Sequence, residues 1–403
     1  NMRLLAGSIL CLIGFVFAES FVAISSPFEN NELETRRIPE ELDRPIRVGL
    51  FVGVSKVYLF NGSDTITVET RRGLVSFSNH KETVYESVIE VFPEENVRLS
   101  VALNKKDLGK VKYHGHLVFF VQNSKLTVIN VVDVEKYLYG VVPYEIGTLD
   151  SARFEALKAQ AVAARTYAYS HFNSREALQF DVFADTRDQV YKGLEKSTSL
   201  TEAAIESTKG EVMTYNGDFI QAYYHSTCSG HTEGMDAWGQ PDKSYLKPKP
   251  DLQSNGKAWC EESSYHHWQR SFTEKELVIL FQNNKVTAQA KDYKPFSSIR
   301  SITIDSELRG GRIGALTVST DVGSFTVKGD RVRFLFKQGS SILPSSRFTI
   351  KKQGSSWVLN GQGFGHGIGL CQMGARARAQ AGQSYVEILK HYYDGIVIER
   401  FIR

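Results

Sequence analysis

Between residues 46 and 134 apolar side chains recur in short runs, and after Pro143 the period lengthens to that of a helix. The runs "IRVGLFVG", "KVYLF", "TITVET", "VIEVFP", "LSVAL", "LVFFVQ" and "LTVINVVDV" are separated by turn residues such as "NGSD" and "HG". β-branched and aromatic runs bounded in this way read as strands. A helix follows over 154–172, strands return over 295–350, and the chain closes with a glycine-rich strand and two helices. The last helix carries a capping box, Ser384 with Glu387, and Gly395 stops it. Strands and helices grouped in blocks, without regular alternation, predict an α+β fold. Its parts are a strand-rich N-terminal region over 46–134 and a mixed helix/strand region over 135–403.

With 403 residues, 42% of them hydrophobic, the chain can bury a large core. A net charge of +3 is too balanced for a nucleic-acid binder. The N-terminus places Arg3 before an apolar run from Leu4 to Phe17, with Val16 and Ala18 at small-x-small positions before Glu19. That pattern reads as a signal peptide over 1–18 and predicts export; the run is short for a membrane-spanning helix. Residues 19–45 are polar and acidic without a sustained period, and read as a linker.

The helix "FEALKAQAVAARTYAYSHF" has one apolar stripe through Phe154, Leu157, Ala161, Ala168 and Phe172, and Lys158 and Arg165 project from its margin. Either their stems lie on apolar surface with the charges in water, or a groove crosses this margin and uses two cations. Just upstream, "VVPYEIG" places Glu145 on a loop entering the helix, with Val141, Val142, Pro143, Tyr144 and Ile146 around it and no charge adjacent.

"GQGFGHGIG" has glycine at 361, 363, 365, 367 and 369. In an extended strand all five would share one face. A bare face admits something close to the backbone, either packed protein or an extended ligand. His366 is the side chain here with acid-base capacity near neutral pH. In "YYHSTCSGHTE", His225, Cys228 and His231 are spaced at three, with Cys260 further on. These four could hold a tetrahedral zinc; the other reading is a Cys228–Cys260 disulfide beside unrelated histidines. Cys371 reads as a buried, inert thiol.

These segments together resemble the SpoIID/LytB family, named for stage II sporulation protein D. The family's "GVVP-x-E" loop and "EALKAQA-AARTYA" helix are matched over 140–168, and its "dQvY-G" segment by Asp188, Gln189, Val190, Tyr191 and Gly193. "HSTC-G-T" is matched over 225–232, and "GxGwGHGvGlsQ-GA" over 361–375, with Cys371 where serine is common. One departure is "IGTLDSAR", longer than the usual link between acid and helix.

The resemblance implies an exported cell-envelope or periplasmic protein that acts on peptidoglycan glycan strands, with a cell-wall amidase as a further partner. It implies a lytic transglycosylase with Glu145 as its single acid/base, or alternatively a non-catalytic glycan-binding enhancer of an amidase. Lys158, Gln160, Arg165, Gln189, Tyr191, His225, His366 and Gln372 would line the substrate groove. No cofactor is required for this chemistry, and a structural zinc on His225, Cys228, His231 and Cys260 is the one metal the resemblance implies. One expectation is that Lys158 or Arg165 pairs with the lactyl carboxylate exposed when the stem peptide is removed.

Overall fold

The computed structural model describes residue 33 and residues 35–62, 64–79 and 83–402. The signal-peptide reading of 1–18 lies outside the described residues. Helices and strands are both abundant, the strands gathering in several mixed or antiparallel sheets, so the fold is α+β.

The N-terminal runs fold as expected into two five-stranded sheets. In one, Ile46–Val54 pairs antiparallel with Lys125–Val132, which pairs in turn with His116–Gln122. In the other, Lys56–Phe60 and Thr65–Arg71 form a hairpin whose inward positions, Val57, Leu59, Ile66 and Val68, are buried. Period-two alternation suffices to set this register, because a one-residue slip would turn the apolar set to water.

Within the stretch read as a linker, Thr35–Arg37 forms a strand parallel to Val397–Ile402. Val397–Ile402 also pairs antiparallel with Glu211–Tyr215, so it lies inside its sheet with a neighbour on each side.

Phe154–Ser170 is the central helix, and it is buried on nearly all sides: thirteen of its residues, from Ala156 to Tyr169, are buried. Seven of its residues are alanine or threonine, small enough for close approach by the helices Ser199–Ser207, Gln372–Gln380 and Tyr385–Tyr392 and by the strand Glu211–Tyr215. The single apolar stripe expected from sequence is therefore one face of a helix enclosed all round.

Residues 268–359 build a core of their own, in which Trp268, Phe272, Phe281, Phe325, Phe336, Phe348 and Trp357 pack together. Two three-stranded sheets surround it: Trp268–Thr273, Ser356–Gly361 and Phe348–Gln353 form one, and Ile299–Glu307, Ile313–Thr320 and Ser324–Lys328 the other. This unit stands in sequence between "HSTC" and the glycine-rich segment, yet the two segments meet. Tyr224–His225 pairs parallel with Leu370–Cys371, and Thr227 bridges to Phe364. No helix among the described residues is long and apolar enough to cross a membrane.

Candidate functional site

Glu145 closes the short helix Val142–Glu145, which Pro143 starts at its first turn. Its Oε1 accepts a 2.6 Å hydrogen bond from the Val190 backbone N–H, and its Oε2 faces the Gln372 amide at 3.5 Å. Burial among Val141, Val142, Ile146 and the tyrosines pushes its pKa up to about 7, against the downward pull of the Val190 and Gln372 donors. Among the described residues no cation forms an ion pair with it. A carboxylic acid so placed carries its proton near neutral pH, as a general acid must.

The segment "DQVY" holds that acid through its backbone. Asp188 accepts from Tyr167 Oη at 2.9 Å, from Arg175 at 2.7 Å and from the Phe183 N–H at 2.7 Å. Gln189 is buried; it accepts from Tyr137 Oη at 3.0 Å and donates to Tyr224 Oη at 2.9 Å. Tyr191 is buried and donates to Asn130 at 2.7 Å. With these side chains turned inward, the Val190 N–H is left pointing at Glu145. Gln189 and Tyr191, expected to bind substrate directly, instead fix this loop. The same fixing positions Tyr224, which sequence reasoning missed. Its neighbourhood was legible only as part of "YYH".

Arg165 also corrects the sequence expectation. It has no exposed surface. It donates to both Glu135 oxygens, at 2.9 and 2.6 Å, and to the Glu211 and Ile205 carbonyls at 3.1 and 3.3 Å. A guanidinium fully engaged inside the protein does not meet a ligand. Lys158 is tied to Glu155 at 2.9 Å and lies 4.3 Å over the Tyr385 ring, so it staples two helices together. Gln160 is buried and accepts from Gln372 at 3.3 Å, standing behind the amide that faces Glu145.

The glycine-rich segment is not the flat strand its alternation suggested. Gly363, Gly365, Gly367 and Gly369 take φ of 88°, 99°, 86° and 71°. Side chains rarely adopt that region, which is why glycine recurs at every second position. What approaches the bare backbone is packed protein. A Cβ on Gly367 would fall 2.1 Å from the Arg312 guanidinium carbon, and one on Gly365 would fall 2.9 Å from His225 Cβ. His366 is fixed by this path. The Ile368 N–H donates to its Nδ1 at 3.0 Å, so Nε2 carries the proton and donates to the Tyr224 carbonyl at 3.0 Å. Burial pushes its pKa down to about 4, so it is a neutral clamp and not a proton carrier at neutral pH.

The path also brings Cys371 to "HSTC". His225 and the thiols of Cys228 and Cys371 place ligand atoms within 4.8 Å of one another. Cys260 joins them, its sulfur 3.5 Å from that of Cys228. Backbone N–H groups donate to sulfur here, Ser229 to Cys260 at 3.1 Å and Cys228 to Cys371 at 3.3 Å. The neighbouring Cys228 and Cys371 thiols favour negative charge at Cys260 against the opposing pull of burial, and its pKa is lowered. His225 lays Nδ1 against the Ile368 carbonyl at 3.2 Å, which leaves a buried Nε2 without a protein partner. Three sulfurs and an imidazole fixed through its other nitrogen fit tetrahedral zinc. His231 is not among the described residues whose ligand atoms gather here, and its Nδ1 lies against the Thr232 carbonyl at 2.7 Å. Cys371, read as inert, takes that place.

A family model described as "Stage II sporulation protein" (SpoIID) matches residues 122–215, which include Glu145, the central helix and "DQVY". An amidase enhancer of Bacillus subtilis is 32% identical over 297 residues, covering 66% of this chain and 40% of that protein. Stage II sporulation protein D of the same organism is 29% identical over 282 residues, covering 66% and 74%. The chain belongs to the SpoIID/LytB family. Another relative of this family member, an uncharacterized protein of Brachyspira hyodysenteriae, is 34% identical over 299 residues, covering 73% of this chain and 74% of that one. A second model, a domain of unknown function (DUF8618), matches residues 252–369, which contain the separate aromatic core.

Proposed function

We propose that this SpoIID/LytB protein is a lytic transglycosylase of peptidoglycan glycan strands, acting outside the cytoplasm. The observation that carries the reading is Glu145, a carboxyl held protonated near pH 7 by burial and oriented by two donors. Ordinary glycosidases use two carboxylates. A single one suffices when the substrate supplies its own nucleophile. Glu145 gives its proton to the glycosidic oxygen, and the bond from that oxygen to muramic C1 breaks. The muramic C6 hydroxyl oxygen bonds to C1, and its proton passes to the Glu145 carboxylate. A 1,6-anhydro end forms, the acid is regenerated, and no water is consumed. The Gln372 amide steadies the carboxylate while it is charged. General acid-base help of this kind is worth roughly 10²–10⁴-fold.

Selection of strands without stem peptides needs a cation for the freed lactyl carboxylate, and Arg165 and Lys158 are engaged elsewhere. Arg376 is better placed. It lies one helical turn beyond Gln372, and among the described residues its NH1 has only the Met373 thioether as acceptor, at 3.3 Å. Burial and the nearby Arg153 lower its pKa, and Asp150 and Glu262 oppose this from beyond contact distance. An anion would relieve a cation held so.

A zinc on His225, Cys228, Cys260 and Cys371 would have no open position for water, so it would act as a cross-link between "HSTC", the 252–369 region and the glycine-rich segment.

The second reading follows from the relative named amidase enhancer: a glycan-binding protein that assists an amidase without cutting. Digestion of purified glycan strands by the chain and by its Glu145→Gln variant separates the two. Anhydro-ended fragments from the first and none from the second support the transglycosylase. Binding without cleavage by either supports the enhancer.

A further inference from the structure

A cleft of about 710 Å³ opens between the two sheets of the 252–369 region, and Glu145 is not among the residues that line it. Its floor is apolar: Trp268 and Phe348 are buried, with ring centroids 5.9 Å apart and ring planes at 54°. The Trp268 Nε1 is buried without a hydrogen-bond partner. Its rim is polar and exposed, with Gln269, Thr349 and Asn360 side by side and the Gln269 amide donating to Asn360 at 2.8 Å. Arg347 adds one cation to the lining and Glu307 one carboxylate. The Arg347 NH1 donates to the Ser229 carbonyl at 2.9 Å, and its guanidinium lies over Gly311, where a Cβ would come within 3.2 Å of Nε.

The wall of the cleft runs on in sequence into the glycine-rich segment. Gly361 and Gln362 belong to that wall. Two residues on, Phe364 packs against Tyr265 with ring centroids 4.5 Å apart and planes tilted by 41°, and both residues are more than a third exposed, at 38% and 37%. The same segment then runs past His366 to Gln372, which faces Glu145.

We infer that this cleft is a second saccharide-binding site, a distal subsite that grips an acidic N-acetylated glycan strand whose reacting bond lies at Glu145. Amide and hydroxyl groups on the rim suit acetamido and hydroxyl groups, which both donate and accept. The exposed Tyr265–Phe364 pair suits the apolar faces of sugar rings between the two places, and Arg347 suits a muramic carboxylate. A polymer engaged at two places brings remote binding energy to the reacting centre, where a short fragment cannot. The inference rests on the glycan reading of Glu145, but the site is testable without cleavage.

The test measures binding by the full chain carrying Glu145→Gln, with and without Gln269→Ala and Asn360→Ala. Both added positions are exposed and outside the aromatic core, and equal melting temperatures check that the fold is intact. The probes are fluorescent peptide-free glycan strands of several disaccharides and, separately, a free stem peptide. The added pair should weaken glycan binding about tenfold, as expected for the loss of two modest polar contacts, and the stem peptide should show no dependence on it. Unchanged glycan affinity overturns the inference. So does peptide binding that the pair abolishes, which would make the cleft a peptide site. Failure of the wild-type chain to cut strands would sink the transglycosylase reading and leave this binding result standing.

Discussion

At the scale of single residues, the raised pKa of Glu145 has two consequences of opposite kind. As an acid it is competent below about pH 7, so the rate of strand cleavage should fall as pH rises through that value. Glu145→Gln should cut the rate by roughly 10²–10⁴-fold, read from anhydro-ended products. For stability the sign is also fixed. The folded chain binds this proton more tightly than the unfolded one, so stability is lost as pH climbs from the ordinary carboxylate range through about 7. The Glu145→Gln variant escapes that loss. Its melting temperature relative to wild type should therefore rise between about pH 5 and about pH 8; a gap independent of pH would refute the shift. Arg165 and Arg376 make a contrasting pair. Arg165→Met strands Glu135 and should cost about 3–5 kcal/mol in urea denaturation, without changing which strands are bound. Arg376→Met should leave the urea midpoint in place and reduce the preference for peptide-free over peptide-bearing strands by about tenfold or more. An unaltered preference would rule out Arg376 as the reader. Sequence alone could not sort these arginines. Periodicity reports the stripe a residue borders, while the partner of Arg165 is Glu135, 30 residues away.

At the scale of elements, local pattern was a good guide wherever a single face had to be buried, as in the N-terminal strands and the capped helix Tyr385–Tyr392. It was a poor guide for the glycine-rich segment. Alternating glycine suggests a strand with one bare face, but the same spacing also serves a backbone that turns left-handed at every second residue, and composition cannot tell them apart. The difference is measurable. Gly367→Ala would force a methyl group into the Arg312 guanidinium and impose a disfavoured φ. It should impair folding, and lose glycan binding with it, whereas a bare strand face would tolerate alanine. Three of the four candidate metal ligands, His225, Cys228 and Cys260, were legible in sequence. His225 and Cys228 share one short motif, but Cys371 reaches Cys228 from 143 residues away and no spacing rule covers that distance. Elemental analysis should find one zinc per chain. Cys371→Ala should lower the zinc content and the melting temperature together, and His231→Ala should change neither.

At the scale of the whole molecule, the 252–369 region was invisible as a unit because its strands resemble those around it. What sets it apart is the closure of its aromatic core on itself. The order of the strands has a further consequence. Val397–Ile402, nearly the last residues described, lies between Thr35–Arg37 and Glu211–Tyr215, and the latter packs on the helix that backs Gln372. That sheet joins segments far apart in sequence, and its inner strand cannot be paired until residues 397–402 have been made and have reached the other two. The support behind Gln160, Gln372 and Glu145 is then completed only after the segments that form that site have been made.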